Sequence, residues 1–210
     1  MKMKKKSAFT MIELVMVIVV LGIIAAMAMP RMESDIRQEA SDNLYAAVQL
    51  ARHMALIDNK TDPNDFNWQK ELWNIRFFDN GAFYTISSNT NQDNTVDKTE
   101  TAIDPSNGKY MYNLSGDTTI DSDESASIFI GNKYGVNSVT FTGGCAGPYI
   151  AFDHLGRPFS GGLYSSTTVN IVPFANIMND DCNITIGFTD TTKAAIVLTI
   201  RKETGYISIQ

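Results

Sequence analysis

From Phe9 to Met29 the chain reads FTMIELVMVIVVLGIIAAMAM, an apolar run in which Glu13 is the only charge. After Pro30 the pattern changes. Ile36, Ala40, Leu44, Ala47, Val48, Ala51 and Ala55 recur at helical spacing, while Glu33, Asp35, Arg37, Glu39 and Asp42 occupy other positions around the cylinder. This predicts one helix that is apolar all round at first and amphipathic afterwards. It ends near Ile57, where Asp58-Asn59-Lys60 and then Asp62-Pro63 break it. Alanine dominates the stripe and heptads do not persist, which argues against a coiled coil.

Phe66–Phe78 predicts a short helix leading into a strand, with Trp68, Leu72, Trp73 and Ile75 as core or lid residues. Residues 88–127 are polar and rich in Asn, Asp and Thr, and read as an insertion. The second half alternates apolar and polar positions between turn residues. This predicts strands at Ser127–Ile130, Ser138–Thr142, Pro148–Asp153, Thr168–Val172, Asn183–Phe188, Ala194–Arg201 and Tyr206–Ile209, with a hairpin turn at Lys202-Glu203-Thr204-Gly205. The expected class is α+β: a long N-terminal helix, its first half suited to a membrane, packed on an antiparallel β-sheet head. The expected organisation is a leader over 1–8, an apolar helix over 9–30, an amphipathic helix over 31–60 and a β-rich head over 61–210.

With 210 residues and 44% hydrophobic content the chain can bury one sizeable core. Its formal charge is −6, and Lys2, Lys4, Lys5 and Lys6 crowd the start, so the remainder is more acidic still. Such a body offers no basic surface for nucleic acid, and no nucleic acid partner is expected. The two cysteines, Cys145 and Cys182, have neither CxxC spacing nor the histidines of a zinc site. In an exported chain they pair as a disulfide; in a cytosolic one they are two buried thiols.

Roughly 20 apolar helical residues span the ~30 Å hydrocarbon core, and lysines ahead of the run stay cytoplasmic. Three readings compete. A secretory signal has a shorter apolar region, about 7–15 residues, although Ala25-Ala26-Met27-Ala28 offers a cleavage site. A plain anchor accounts for the length but not for Glu13, because a carboxylate at mid-bilayer costs roughly 2.5–3.5 kcal/mol. The third reading comes from a resemblance.

A Lys-rich leader, a small residue, then Phe9-Thr10-Met11-Ile12-Glu13-Leu14 and a long apolar helix resemble the class III signal of type IV pilins and type II secretion pseudopilins. The resemblance implies that a prepilin peptidase cuts between Ala8 and Phe9 on the cytoplasmic side and N-methylates Phe9. It implies that Glu13 pairs with the Phe9 amine of a neighbouring subunit in a filament. Pro30 matches the proline usual in this helix and is expected to kink or loosen it. Ala8 departs from the family's usual glycine before the cut. The implied partners are the peptidase, other pilin or pseudopilin subunits and the bacterial inner membrane, with the head in the periplasm. A minor pseudopilin of type II secretion is the expected function. A pilin of a type IV or DNA-uptake pilus is the alternative, and a membrane-anchored periplasmic binding protein is the alternative of another class. Tyr149–Pro158 is loosely similar to a strand-turn segment of minor pseudopilin heads.

Inside the polar region, Asn89, Asn91, Asp93, Asp97 and Glu100 stand at the first, third, fifth, ninth and twelfth places of an EF-hand-like loop, with Val96 at the eighth. Asn113, Ser115, Asp117, Asp121 and Glu124 repeat the pattern, with Ile120 matching Val96. Calcium takes six to eight hard oxygens on a loop that wraps it. Both copies lack the usual central glycine, having Asn94 and Thr118, and Asn94 tolerates the left-handed conformation better. The expectation is a structural Ca²⁺ at the first loop, against the alternative of a polar surface loop that matches by chance. His53 has no metal-ligand partner at helical spacing, and His154 follows Cys145 closely enough to imagine a Cys-His nucleophile. Glycines 143, 144 and 147 lack the Lys-Ser/Thr of a phosphate loop. The chain reads as non-enzymatic.

Overall fold

A computed structural model describes residues 10–145, 147–161, 172 and 174–210; the side chains of 28–35 fall outside that description. The chain divides into two compact units, Met1–Gln38 and Glu39–Gln210. Helix α1, Met11–Ile57, contributes to both. Its helical assignment runs through Pro30 without a break.

In the first unit every side chain from Thr10 to Met27 is exposed. Among the described residues no helix is long and apolar enough to cross a membrane. The described apolar side chains stop at Met27, whereas the run in the sequence extends from Phe9 to Met29.

In the second unit the amphipathic stripe of α1 is the buried one: Ala40, Leu44, Ala47, Val48, Ala51 and Ala55 are all nearly inaccessible. Two antiparallel four-stranded sheets build the head, where one was expected. The first has the order β2(Phe83–Ser87), β1(Trp73–Phe78), β4(Tyr149–Phe152), β5(Pro158–Ser160). The second runs β3(Val136–Gly143), β6(Cys182–Phe188), β7(Ile196–Ile200), β8(Ile207–Ile209). Strict alternation along β6 and β7 buries Ile184, Ile186, Phe188, Ile196, Leu198 and Ile200. The turn Lys202–Gly205 joins β7 to β8, with Arg201 N–H donating to the Tyr206 carbonyl. Gly205 has φ +61°, and a Cβ there would meet the Gly156 carbonyl at 2.2 Å, so glycine is needed for the β7–β8 turn to approach the β4–β5 turn.

The predicted strand Ser127–Ile130 is not a strand. Ala126–Ile128 form a 3₁₀ turn and Ile130–Tyr134 a short helix, α2. Ser125 accepts the Ser127 N–H at the start and Gly135, at φ 73°, caps the end. These capping residues outweigh the apolar run between them. Strands β2 and β5 were not expected from sequence. The predicted strand Thr168–Val172 lies almost wholly outside the described residues. Phe66–Phe78 does become a 3₁₀ turn, Trp68–Glu71, followed by β1. Trp68 and Leu72 join Ala151 and Phe159 in a buried cluster, and the Trp73 indole donates to Asp58 at 2.9 Å, tying β1 to the end of α1.

Candidate functional site

The start of α1 shows what Glu13 does within one chain. The Thr10 backbone N–H and hydroxyl both donate to Glu13 Oε2, at 3.4 and 3.3 Å, and Glu13 N–H returns to the Thr10 carbonyl at 3.1 Å. Thr10 and Glu13 therefore form half of a capping box, the glutamate reaching back to the amide and hydroxyl of the residue that precedes the helix. The sequence reading missed it, although Thr-x-x-Glu ahead of an apolar run is its signature. Ala8 and Phe9 lie outside the described residues, and so does the side chain of Pro30.

Cys145 and Cys182 form a disulfide across 37 residues, with Cα atoms 5.0 Å apart. The reason for Gly143-Gly144 ahead of it is steric. A Cβ on Gly143 would stand 2.1 Å from the Asp181 carbonyl, and one on Gly144 2.1 Å from that of Asp180. Only glycines let the end of β3 come close enough for Cys145 to reach Cys182. The bond also removes the thiol that a Cys-His site would need. His154 instead contacts the Thr61 hydroxyl at 3.1 Å, and His53 is exposed on α1. Beside His154, buried Asp153 accepts the Leu155 and Arg157 amides and pairs with the Arg157 guanidinium at 2.7 Å, which organises the β4–β5 turn.

The two EF-hand-like loops, the first of which was expected to hold calcium, form one knitted structure. In the first, Asn91 Oδ1 accepts the Asp93 amide, Asp93 accepts the Thr95 amide and hydroxyl, and Asn94 at the sixth place has φ 73°. Those hydrogen bonds hold the Asp93 carboxyl below its ordinary range. Glu100 turns into the loop: Oε1 accepts from the Thr90 amide (2.9 Å), the Thr90 hydroxyl (3.0 Å) and the Asn91 amide (3.1 Å), while Oε2 accepts from the Asp97 amide (3.0 Å). Asp97 and Glu100 thus make a capping box around the 3₁₀ turn Lys98–Glu100. Asn89 is fully buried. A calcium ion at these residues would have to take Glu100 away from its N–H and O–H donors.

In the second loop Asp117 accepts the Thr119 amide and Glu124 accepts the Asp121 amide, so the same turns recur. Here Asp121, Asp123 and Glu124 bring their carboxylate oxygens within 4.8 Å of one another, the one such acidic group found among the described residues. Lys98 of the first loop puts its ammonium among them, at 3.2, 3.0 and 3.0 Å. The contacts with Glu124 and Asp123 hold the lysine well above its usual range. Below this, Asp104 accepts the hydroxyls of Ser125 and Ser127, both at 2.5 Å, and the amide and hydroxyl of Ser106. Burial pushes Asp104 up, but these donors outweigh it and hold it at about 2. The insertion is thus ordered by its own side chains and by bridges to β2, including Ala102 N–H to the Ile86 carbonyl.

Residues 3–29 match the prokaryotic N-terminal methylation motif. The chain carries a prepilin-type N-terminus, consistent with the type IV pilin and pseudopilin family and pointing to a structural subunit rather than an enzyme. No curated protein and no solved structure matches the chain. The motif implies processing by a prepilin peptidase, assembly with pilin subunits, and a membrane-anchored or filament protein.

Proposed function

We propose that the protein is a filament subunit built as a prepilin, a minor pseudopilin of type II secretion, with a head facing the periplasm. The carrying observation is the methylation motif at 3–29 continuing into a helix whose side chains from Thr10 to Met27 are all exposed. A contiguous apolar surface of that extent needs lipid or other helices around it. Before assembly Phe9–Met29 spans the inner membrane; afterwards it packs among related helices.

Glu13 then has two successive roles. In the single chain it caps α1 through Thr10. When Ala8–Phe9 is cut, a new ammonium appears at Phe9, and in the filament Glu13 meets the one on a neighbouring subunit. A buried carboxylate and ammonium compensate each other only as a pair, and removal of one partner strands the other at a cost of about 3–5 kcal/mol. Local capping keeps the carboxylate hydrogen-bonded until its partner arrives.

The experiment is N-terminal peptide mass spectrometry of protein made with and without the prepilin peptidase of its own system. The expected mature chain begins at N-methylated Phe9 only when the peptidase is present. Retention of Met1–Ala8 in both samples, or a cut after Ala26 or Ala28, rejects the reading in favour of an anchored or secreted domain. Recovery of mature subunits in surface pili rather than with the secretion machinery would move the assignment to a pilus pilin.

A further inference from the structure

The filament-subunit reading leaves one cavity of the head without a role. It lies between α1 and the insertion and has a volume of about 560 Å³, within the roughly 300–1,000 Å³ range of small-molecule pockets. Ala46, Leu50 and His53, at helical spacing, stand on its α1 wall, and Asp104 and Ser106 face them from the insertion. All of these residues belong to the second compact unit.

Asp104 gives the cavity its charge. The residue is 5% exposed, and every donor it meets is neutral. Oδ1 accepts the Ser106 amide and hydroxyl, and Oδ2 accepts the Asn107 side-chain amide and the Ser125 and Ser127 hydroxyls. Among the described residues no basic side chain pairs with it. Neutral donors keep the carboxylate ionised without cancelling its charge. A buried charge is screened less than one at the surface, so its field reaches the cavity.

The hydroxyl groups point the same way. Ser106 and Ser127 donate their single protons to Asp104, and Tyr84 donates its own to Asn43 Oδ1 at 3.1 Å. Asn43 also donates to the Ser127 carbonyl at 3.2 Å, which makes Tyr84 and Ser127 neighbours. All three hydroxyls line the cavity, and each is left with oxygen lone pairs to offer. An ammonium group has three N–H donors and no acceptor, and it carries the charge that Asp104 lacks. An anion would face the field of the carboxylate. A bare metal ion would need Asp104 as a ligand and would have to displace its donors. Ala46, Leu50 and Met111 leave apolar wall for a carbon skeleton.

We infer that this cavity binds a small organic cation, a primary ammonium on an apolar body, with the hydroxyl oxygens accepting from the ammonium and Asp104 balancing its charge through the two serines. A free alkylamine or arylalkylamine and the lysyl side chain of another protein are two sources of that chemistry. The inference concerns the head alone and stands apart from the processing of the N-terminus.

The test is isothermal titration of the full-length chain in non-ionic detergent micelles at pH 8, where imidazoles are neutral and alkylamines are charged. Two matched pairs are compared: 2-phenylethylamine against 2-phenylethanol, and Nα-acetyllysine amide against Nα-acetylnorleucine amide. At least one amine is expected to bind about tenfold or more tightly than its neutral counterpart, a difference of about 1.4 kcal/mol. The pair that responds identifies the source. Asp104→Asn should weaken that amine about tenfold or more and leave the neutral partner unchanged. Ala46→Trp, at an exposed position on the α1 wall, should abolish binding by filling the space, with an unchanged circular dichroism spectrum. The inference is overturned if neither amine binds up to about 10 mM, well beyond ordinary ligand affinities. It is also overturned if amine and neutral partner bind alike, or if folded Asp104→Asn or Ala46→Trp binds like the wild type. Should Asp104→Asn fail to fold, Ser106→Ala takes its place: it removes one acceptor at an exposed position, a few-fold loss of affinity is expected, and an unchanged affinity overturns the inference.

Discussion

Residues 89–100 and 113–124 carry the same pattern of oxygen-bearing side chains and share two hydrogen-bonded turns, yet their glutamates are used differently in the head. In both, the ninth-place aspartate amide donates to the twelfth-place glutamate at 3.0 Å. In both, the fifth-place aspartate accepts the amide two residues on. In the first loop Glu100 accepts from the loop's own Thr90, Asn91 and Asp97, and the loop is tied to the head by Lys70 on Asn94 and by Gln92 on Asp65 and Glu71. In the second the glutamate meets a cation. Glu124 is buried, with a side chain 4% exposed, and faces an ammonium supplied by the first loop. Shared residue types make matching turns, and the lysine at position 98 pairs with the acids of the second loop, of which Glu124 is buried while Asp121 and Asp123 are exposed.

Truncation of the two glutamates should break the symmetry most. Glu124→Ala removes a buried carboxylate, leaves Lys98 against two acids and frees the Asp121 amide, so a loss of about 2–3 kcal/mol is expected. Glu100→Ala frees amides that water can reach, for about 1 kcal/mol. Urea unfolding followed by circular dichroism measures both, and equal losses would show that the loops are energetically equivalent.

Lys98→Met comes next. It leaves the Asp121, Asp123 and Glu124 carboxylates facing one another without their cation, so the melting temperature should fall. Calcium at about 5 mM should then restore a few degrees in the variant and shift the wild type by less than about 1 °C, since a ligand stabilises only the state that binds it. A calcium-dependent rise in the wild type that Glu100→Gln abolishes would instead put the ion at the first loop, as the oxygen pattern in the sequence suggests.

A third test uses acid. Asp104 fastens Ser125, directly after Glu124. Its carboxyl is held at about 2, against an ordinary value of 3.8. A depressed value in the folded state means that the stabilisation is fully present above the ordinary value and disappears as pH falls through about 2. Melting temperatures recorded between pH 5 and about 2 should therefore decline more steeply for the wild type than for Asp104→Asn, which starts lower and cannot titrate there. The smallest effect belongs to the matched threonines. Thr95→Val and Thr119→Val each remove an exposed hydroxyl and should lower the melting temperature by no more than about 2 °C, and by similar amounts.

Much of the architecture was legible because it repeats with a fixed period. The apolar run and the stripe from Ala40 to Ala55 follow the 3.6-residue helical repeat, and β6 and β7 follow the two-residue strand repeat. Strand β2 escaped because all five of its residues are buried, the polar Thr85 and Ser87 included, so solvent imposes no alternation on it. Strand β5 has only three residues, too few for a pattern. Ser127–Ile130 looked extended because Ser-Ile-Phe-Ile favours strands, and the caps at Ser125 and Gly135 overruled it. At the sites, the loop repeat was visible, but its use was not: the oxygens read as cation ligands accept amide protons, and Lys98, at an unremarked place between two of them, reaches the other loop.

The sequence by itself determined the features that depend on neighbours along the chain. These are the methylation motif with its apolar helix, the Thr10–Glu13 contact, the paired Asx and capping turns, and the glycines that clear the way to Cys145. Each is specified within a few residues, where backbone geometry and side-chain reach suffice. Only the tertiary structure decided the division of the strands into two sheets, the placing of Lys98 among Asp121, Asp123 and Glu124, and the cavity that Asp104 and Tyr84 line beside α1. Those contacts join residues tens of positions apart, and no local preference selects them. They follow from which buried faces must meet when the chain removes its apolar surface from water.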